Sequence, residues 1–86
     1  MNAREEIQNL LDTLTRQRDE LRVKAHLAKL DAMEEWKGLE EKYAEVKVKA
    51  AEVGEVAEAA GKDVLAAAKV LGDEIAKGYK RIRDAL

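Results

Sequence analysis

Apolar side chains recur along this chain with an eleven-residue period, and that period restricts the fold more than any other feature. One series runs Leu10, Leu14, Leu21, Ala25, Ala28, Ala32, Trp36, Leu39 and Tyr43, with Gln17 as its polar intruder. A second runs Val53, Ala57, Ala60, Val64, Ala68, Leu71, Ile75, Tyr79, Ile82 and Leu86. Eleven residues in three turns is about 3.67 residues per turn, so the stripe stays nearly straight on an α-helix or drifts slightly right-handed. A left-handed heptad coil would need steps averaging about 3.5. Composition agrees with helix throughout: there is no proline to break one, 40% of residues are charged, and alanine is abundant while aromatics make up 3%. The fold class is all-α.

The two series do not join in phase. Continuing the first would place Lys47, Gly54 and Glu58 in the stripe, whereas the apolar side chains shift through Val46 and Ala50. A turn explains that slip, and Gly54 stands where a left-handed C-cap would end a helix. The pattern predicts one domain over residues 1–86. It is an antiparallel two-helix hairpin with helix 1 over about 3–52, a turn at about 53–55 and helix 2 over about 56–86. Asn2 followed by Glu5 has the spacing of an N-terminal capping box. Gly61 and Gly72, beside the stripe, read as close-packing positions, with Gly61, ahead of Asp63 as an N-cap for a helix from Val64, the alternative place for the turn.

Unequal arms have a consequence. A 50-residue helix is about 75 Å long and a 30-residue one about 45 Å, so the return arm would leave the first twenty or so residues uncovered. That stretch carries Ile7, Leu10, Leu11, Leu14 and Leu21, and Val23, Leu27 and Leu30 form a second apolar patch roughly opposite. These eight residues are the expected oligomer interface of a homodimer or higher even oligomer, in which hairpins shelter one another's overhangs and assemble into a bundle. Basic Arg16, Arg18, Arg22, Lys24 and Lys29 at the open end and acidic Glu34, Glu35, Glu40, Glu41 and Glu45 nearer the turn would make each hairpin a dipolar rod.

Nothing in the chain has the spacing of a catalytic, cofactor or metal site. His26 is the only histidine and cysteine is absent, so the usual zinc and di-iron sets are missing. Trp36, Tyr43 and Tyr79 fall in the stripe and read as packing residues. Glu34–Glu35 and Glu40–Glu41 are adjacent pairs that point about 100° apart on a helix and do not converge on one substrate atom. There is no serine, and Thr13 and Thr15 are remote from His26. Lys77, Lys80, Arg81 and Arg83 are the one basic cluster near a chain end, but Asp73, Glu74 and Asp84 balance it, which argues against nucleic acid. With a net charge of −2 and no apolar run of about 20 residues, the chain reads as a soluble cytoplasmic protein. Its expected function is that of a non-enzymatic, self-associating structural or interaction protein. The alternative is a reversible lipid-surface binder that lays the same stripe on a membrane.

The stretch from Leu27 through Trp36, Leu-Ala-Lys-Leu-Asp-Ala-Met-Glu-Glu-Trp, with Leu39-Glu40-Glu41-Lys42-Tyr43 after it, resembles small uncharacterised bacterial coiled-coil proteins. The resemblance implies a helical hairpin and brings no activity with it. The eleven-residue period is also similar to that of exchangeable apolipoproteins.

Overall fold

The computed structural model describes the backbone of residues 2–25 and 30–85 and the side chains of residues 2–24 and 32–85. Three helices make up these residues: α1 (Ala3–Ala25), α2 (Leu30–Val53) and α3 (Glu58–Ala85). The expected single helix over about 3–52 is therefore two, ending and restarting on either side of residues 26–29. No glycine or proline stands between Ala25 and Leu30 to announce this boundary. Burial decides it instead, because folding α1 back lets its apolar stripe pack on the other two helices rather than face water.

Contacts across the bundle give its topology. Thr15 meets Tyr43 and Arg18 meets Glu40, so α1 and α2 run antiparallel. Lys42 meets Glu74 and Glu35 meets Arg81, so α2 and α3 do as well. Lys69 reaches Glu6 and the Ala3 amide donates to Glu58, so α1 and α3 run parallel. The helices have 23, 24 and 28 residues, about 35 to 42 Å each, and the whole measures 44 × 18 × 16 Å. None overhangs another by more than a turn or two.

The stripe that closes this bundle has a period of seven, not eleven. In α2 it runs Ala32, Trp36, Leu39, Tyr43, Val46, Ala50 and Val53, all buried or half-buried. In α3 it runs Gly61, Leu65, Ala68, Gly72, Ile75, Tyr79 and Ile82, all buried. Steps of 4 and 3 in alternation are those of left-handed helix packing. The hendecad expectation failed for two physical reasons. Glycines occupy core positions that a count of apolar side chains passes over, and the apparent slip through Val46 and Ala50 is the heptad simply continuing. Leu65, absent from the expected stripe, is buried, while Ala57 and Ala60, included in it, are exposed.

Both ends of the chain turn are tied down locally. The Asn2 side chain accepts from the Glu5 amide at 2.9 Å and donates back to the Glu5 carboxylate at 3.5 Å, capping α1. α2 ends in a tightened last turn, with the amides of Gly54 and Glu55 donating to the carbonyls of Ala51 and Glu52. Gly54 does not adopt the expected left-handed cap, since no described glycine has positive φ. Its carbonyl accepts instead from Arg4 Nη2 at 2.9 Å, pinning the start of α1 to this turn.

The core has two clusters. Ala3, Ile7, Val53, Leu65 and Ala68 fill the end near the α2–α3 turn. Leu14, Leu21, Leu39, Tyr43, Val46, Ile75, Tyr79 and Ile82 fill the rest, with Leu10, Leu11, Trp36 and Leu71 packed against them. Among the described residues no helix is long and apolar enough to cross a membrane.

Candidate functional site

The expected interface residues divide sharply. Ile7, Leu14 and Leu21 are buried within the single chain, and Leu10 and Leu11 are half-buried against its core. The overhang that called for a second molecule does not exist, because α3 is long enough to run beside all of α1. Val23 is the exception, 74% exposed in the last turn of α1. The side chains of Leu27 and Leu30, like His26 and Lys29, lie outside the described residues. The stripe that a lipid-surface binder would lay on a membrane is this bundle's core.

The dipolar rod disappears for the same reason. Folding α2 against α1 sets the acidic stretch beside the basic one. Arg18 Nε and Nη2 donate to the two Glu40 oxygens at 2.6 and 2.8 Å, and these hydrogen bonds to Glu40 raise the already high Arg18 pKa further. The same guanidinium lies 4.9 Å from the centre of the Tyr43 ring. A cation and a carboxylate that were expected at opposite ends of a rod thus pair at one level of the bundle.

Two tyrosines in the core are treated differently. The Tyr43 hydroxyl lies 2.6 Å from Thr15 Oγ1, which in turn bonds the Leu11 carbonyl. The Tyr79 ring stacks obliquely against Trp36, with centroids 5.6 Å apart. Its hydroxyl is buried and finds no hydrogen-bond partner among the described residues, and that burial, followed by the nearby Glu40 charge, pushes its pKa above the ordinary value. Burial of this kind holds the phenol in its neutral form. Two of the four candidate carboxylates are paired: Glu35 accepts from Arg81 at 2.6 Å, and Glu40 accepts from Arg18. Among the described residues no group of three or more metal-ligating side chains gathers.

A concavity lies between α1 and α3, and its cause is visible in the heptad. Continued along α1, the seam positions after Leu14 are 17, 21 and 24, occupied by Gln17, Leu21 and Lys24. Two of the three are polar, so α1 and α3 are not zipped shut here. A half-open groove of about 130 Å³ results, lined by Gln17, Glu20, Leu21 and Lys24 of α1 and by Ala76, Tyr79, Lys80 and Arg83 of α3. Leu21, Ala76 and Tyr79 make an apolar floor, and the walls carry Lys24, Lys80 and Arg83 against the single carboxylate of Glu20. Of the C-terminal basic cluster, Lys77 pairs with Asp73 at 3.0 Å, Arg81 with Glu35 at 2.6 Å and Arg83 loosely with Asp84 at 3.8 Å. Among the described residues Lys24 and Lys80 form no ion pair. The polar Gln17 in the stripe was the sequence signal for this groove, but its meaning depended on knowing that α3 lies opposite.

Compared with protein-family models, curated proteins and solved structures, the chain matches none.

Proposed function

We propose that this chain is a non-enzymatic structural and interaction module that self-associates through the end of the bundle where α1 gives way to α2. What supports the reading is the presence of two exposed apolar side chains at that end. Val23, 74% exposed, sits in the last turn of α1, and Met33, 40% exposed, sits in the first turn of α2. The antiparallel register set by Thr15–Tyr43 and Arg18–Glu40 brings these two to nearly the same level on neighbouring helices. Large apolar side chains left in water on adjacent helices favour a partner surface of the same character. A second copy supplies one by symmetry, since a two-fold interface uses the same patch twice. Burying each side chain fully is worth at most about 1.5–3 kcal/mol, which suits a weak, concentration-dependent association rather than an obligate one.

Sedimentation equilibrium from micromolar to millimolar protein tests the proposal. The wild-type chain is expected to gain mass with concentration, and the Val23→Asp/Met33→Asp variant to remain a folded monomer across the range. A wild-type chain that stays monomeric throughout ends the reading.

A further inference from the structure

We infer that the groove between the C-terminal halves of α1 and α3 is a docking site for an acidic peptide segment, whose carboxylate side chains sit between Lys24, Lys80 and Arg83. This goes beyond self-association, which uses apolar side chains on a different pair of helices.

Charge complementarity and size choose the occupant. The groove walls carry three cations and one carboxylate, Glu20, and neither Lys24 nor Lys80 has an ion-pair partner among the described residues, so both are available to an incoming anion. Because α1 and α3 are parallel, both present their negative C-terminal ends here. That effect amounts to a fraction of a charge confined to the last turn, and the lining's three cations less Glu20 leave two positive charges against it, Arg83 being loosely engaged by Asp84. Tyr79 stays protonated in the floor and adds no negative charge. The floor of Leu21, Ala76 and Tyr79 suits the methylenes of a glutamate side chain, with its carboxylate reaching the cationic rim. A volume of about 130 Å³ falls well short of the roughly 300 Å³ at which sites for nucleotide- or drug-sized ligands begin. Since the groove is half-open, a chain can lie along it and insert one side chain at a time.

Lys24 lends further weight to the assignment. It occupies a seam position of the α1 heptad, where a leucine would zip α1 onto α3 as Leu14 and Leu21 do. A cation there holds the groove open and charged at the same point.

The test uses capped tetraglutamate as probe on the wild-type chain, held at the lowest protein concentration that gives spectra so that self-association is minimal. Amide shifts in a ¹H–¹⁵N titration are expected to cluster in residues 17–24 and 76–83. Affinity is expected to fall with added salt, and to fall roughly tenfold or more in Lys24→Glu/Lys80→Glu. Both lysines are exposed, so the bundle should tolerate reversal, and circular dichroism confirms that. Lys24→Ala/Lys80→Ala, which keeps helix propensity, supplies a second reading with a smaller loss. The inference is overturned if tetraglutamate causes no shifts at millimolar concentration, or shifts residues elsewhere. It is overturned equally if capped tetraglutamine or free glutarate binds as well, if oligouridylate binds more tightly, or if the lysine variants bind unchanged.

Discussion

Arg18 and Glu40 lie side by side across the α1–α2 contact, joined by two parallel hydrogen bonds of 2.6 and 2.8 Å. A two-pronged pair of this kind is geometrically demanding and stronger than a single ion pair. The side chains are only 19% and 32% exposed, so solvent screening is partial. Arg18→Ala leaves the Glu40 carboxylate unpaired and removes the cation over Tyr43. Its expected cost is about 1–2 kcal/mol, seen as a fall of several degrees in Tm by circular dichroism. Arg18→Lys should recover less than half of this, because an ammonium cannot reproduce the fork. Equal stability for wild type and Arg18→Ala would make the pair incidental.

The two core tyrosines give opposite expectations for the same chemical change. Tyr43→Phe deletes the hydroxyl that meets Thr15 and should cost about 1 kcal/mol. Tyr79→Phe deletes a buried hydroxyl with no partner among the described residues and should be neutral or stabilising by up to about 1 kcal/mol. Denaturant titration of both variants decides the matter, and a Tyr79→Phe protein less stable than Tyr43→Phe would reverse the assignment.

Tyr79 also predicts how stability depends on alkaline pH. Its pKa in the folded chain lies above the ordinary 10.0, chiefly through burial. Between the unfolded and the folded pKa the folded state therefore binds more protons than the unfolded state. Its contribution to stability is fully present below about pH 10 and is lost as pH rises beyond that. Tyr79→Phe should flatten part of the decline in Tm above pH 10, and an unchanged alkaline limb would place its cause elsewhere.

Glycines at two helix positions separate packing from propensity. A Cβ on Gly78 would lie 2.7 Å from Leu39 Cδ1 and 3.0 Å from its Cγ, and Leu39, 3% exposed, has no room to withdraw. Overpacking of about 1–3 kcal/mol exceeds the gain of about 1 kcal/mol from alanine's helix propensity, so Gly78→Ala should destabilise. A Cβ on Gly38 would meet nothing within 4 Å, and Gly38→Ala should stabilise by up to about 1 kcal/mol. Chemical denaturation of the two variants should give shifts of opposite sign.

Closure of the core within one chain can be checked directly at Leu14. With the side chain fully buried, Leu14→Ala should cost about 2–5 kcal/mol. That loss should be the same at micromolar and at millimolar protein, since the cavity opens inside a single molecule. A penalty that grows on dilution would show that a second chain covers Leu14 after all.

How much of this was legible beforehand varies by element. The α2–α3 boundary was readable because Gly54 coincides with a change in the apolar pattern, whereas Ala25 to Leu30 offers only helix-compatible residues. The chain's second reversal was therefore invisible to propensity. Gly61 and Gly72 were readable as close-packing positions and are buried, whereas Leu65 and Gly78 gave no such signal, because burial at a position is a property of its neighbour across the interface. Of the expected interface, only Val23 among the described residues remains exposed to a partner. Gln17 was visible as an interruption of the stripe, but it marked a groove only once α3 was known to run alongside.

The sequence by itself determined that the chain is helical and amphipathic, with its charge kept off one apolar stripe, because those properties follow from side-chain chemistry at successive positions. Tertiary structure alone decided that there are three helices of similar length, that their seam repeats every seven residues, and that Ile7, Leu14 and Leu21 are sheltered within one molecule. The physical reason is that hydrophobic burial is non-directional and indifferent to which surface provides the shelter. A stripe on one helix states that it must be covered, and only the packed arrangement of all three helices states by what.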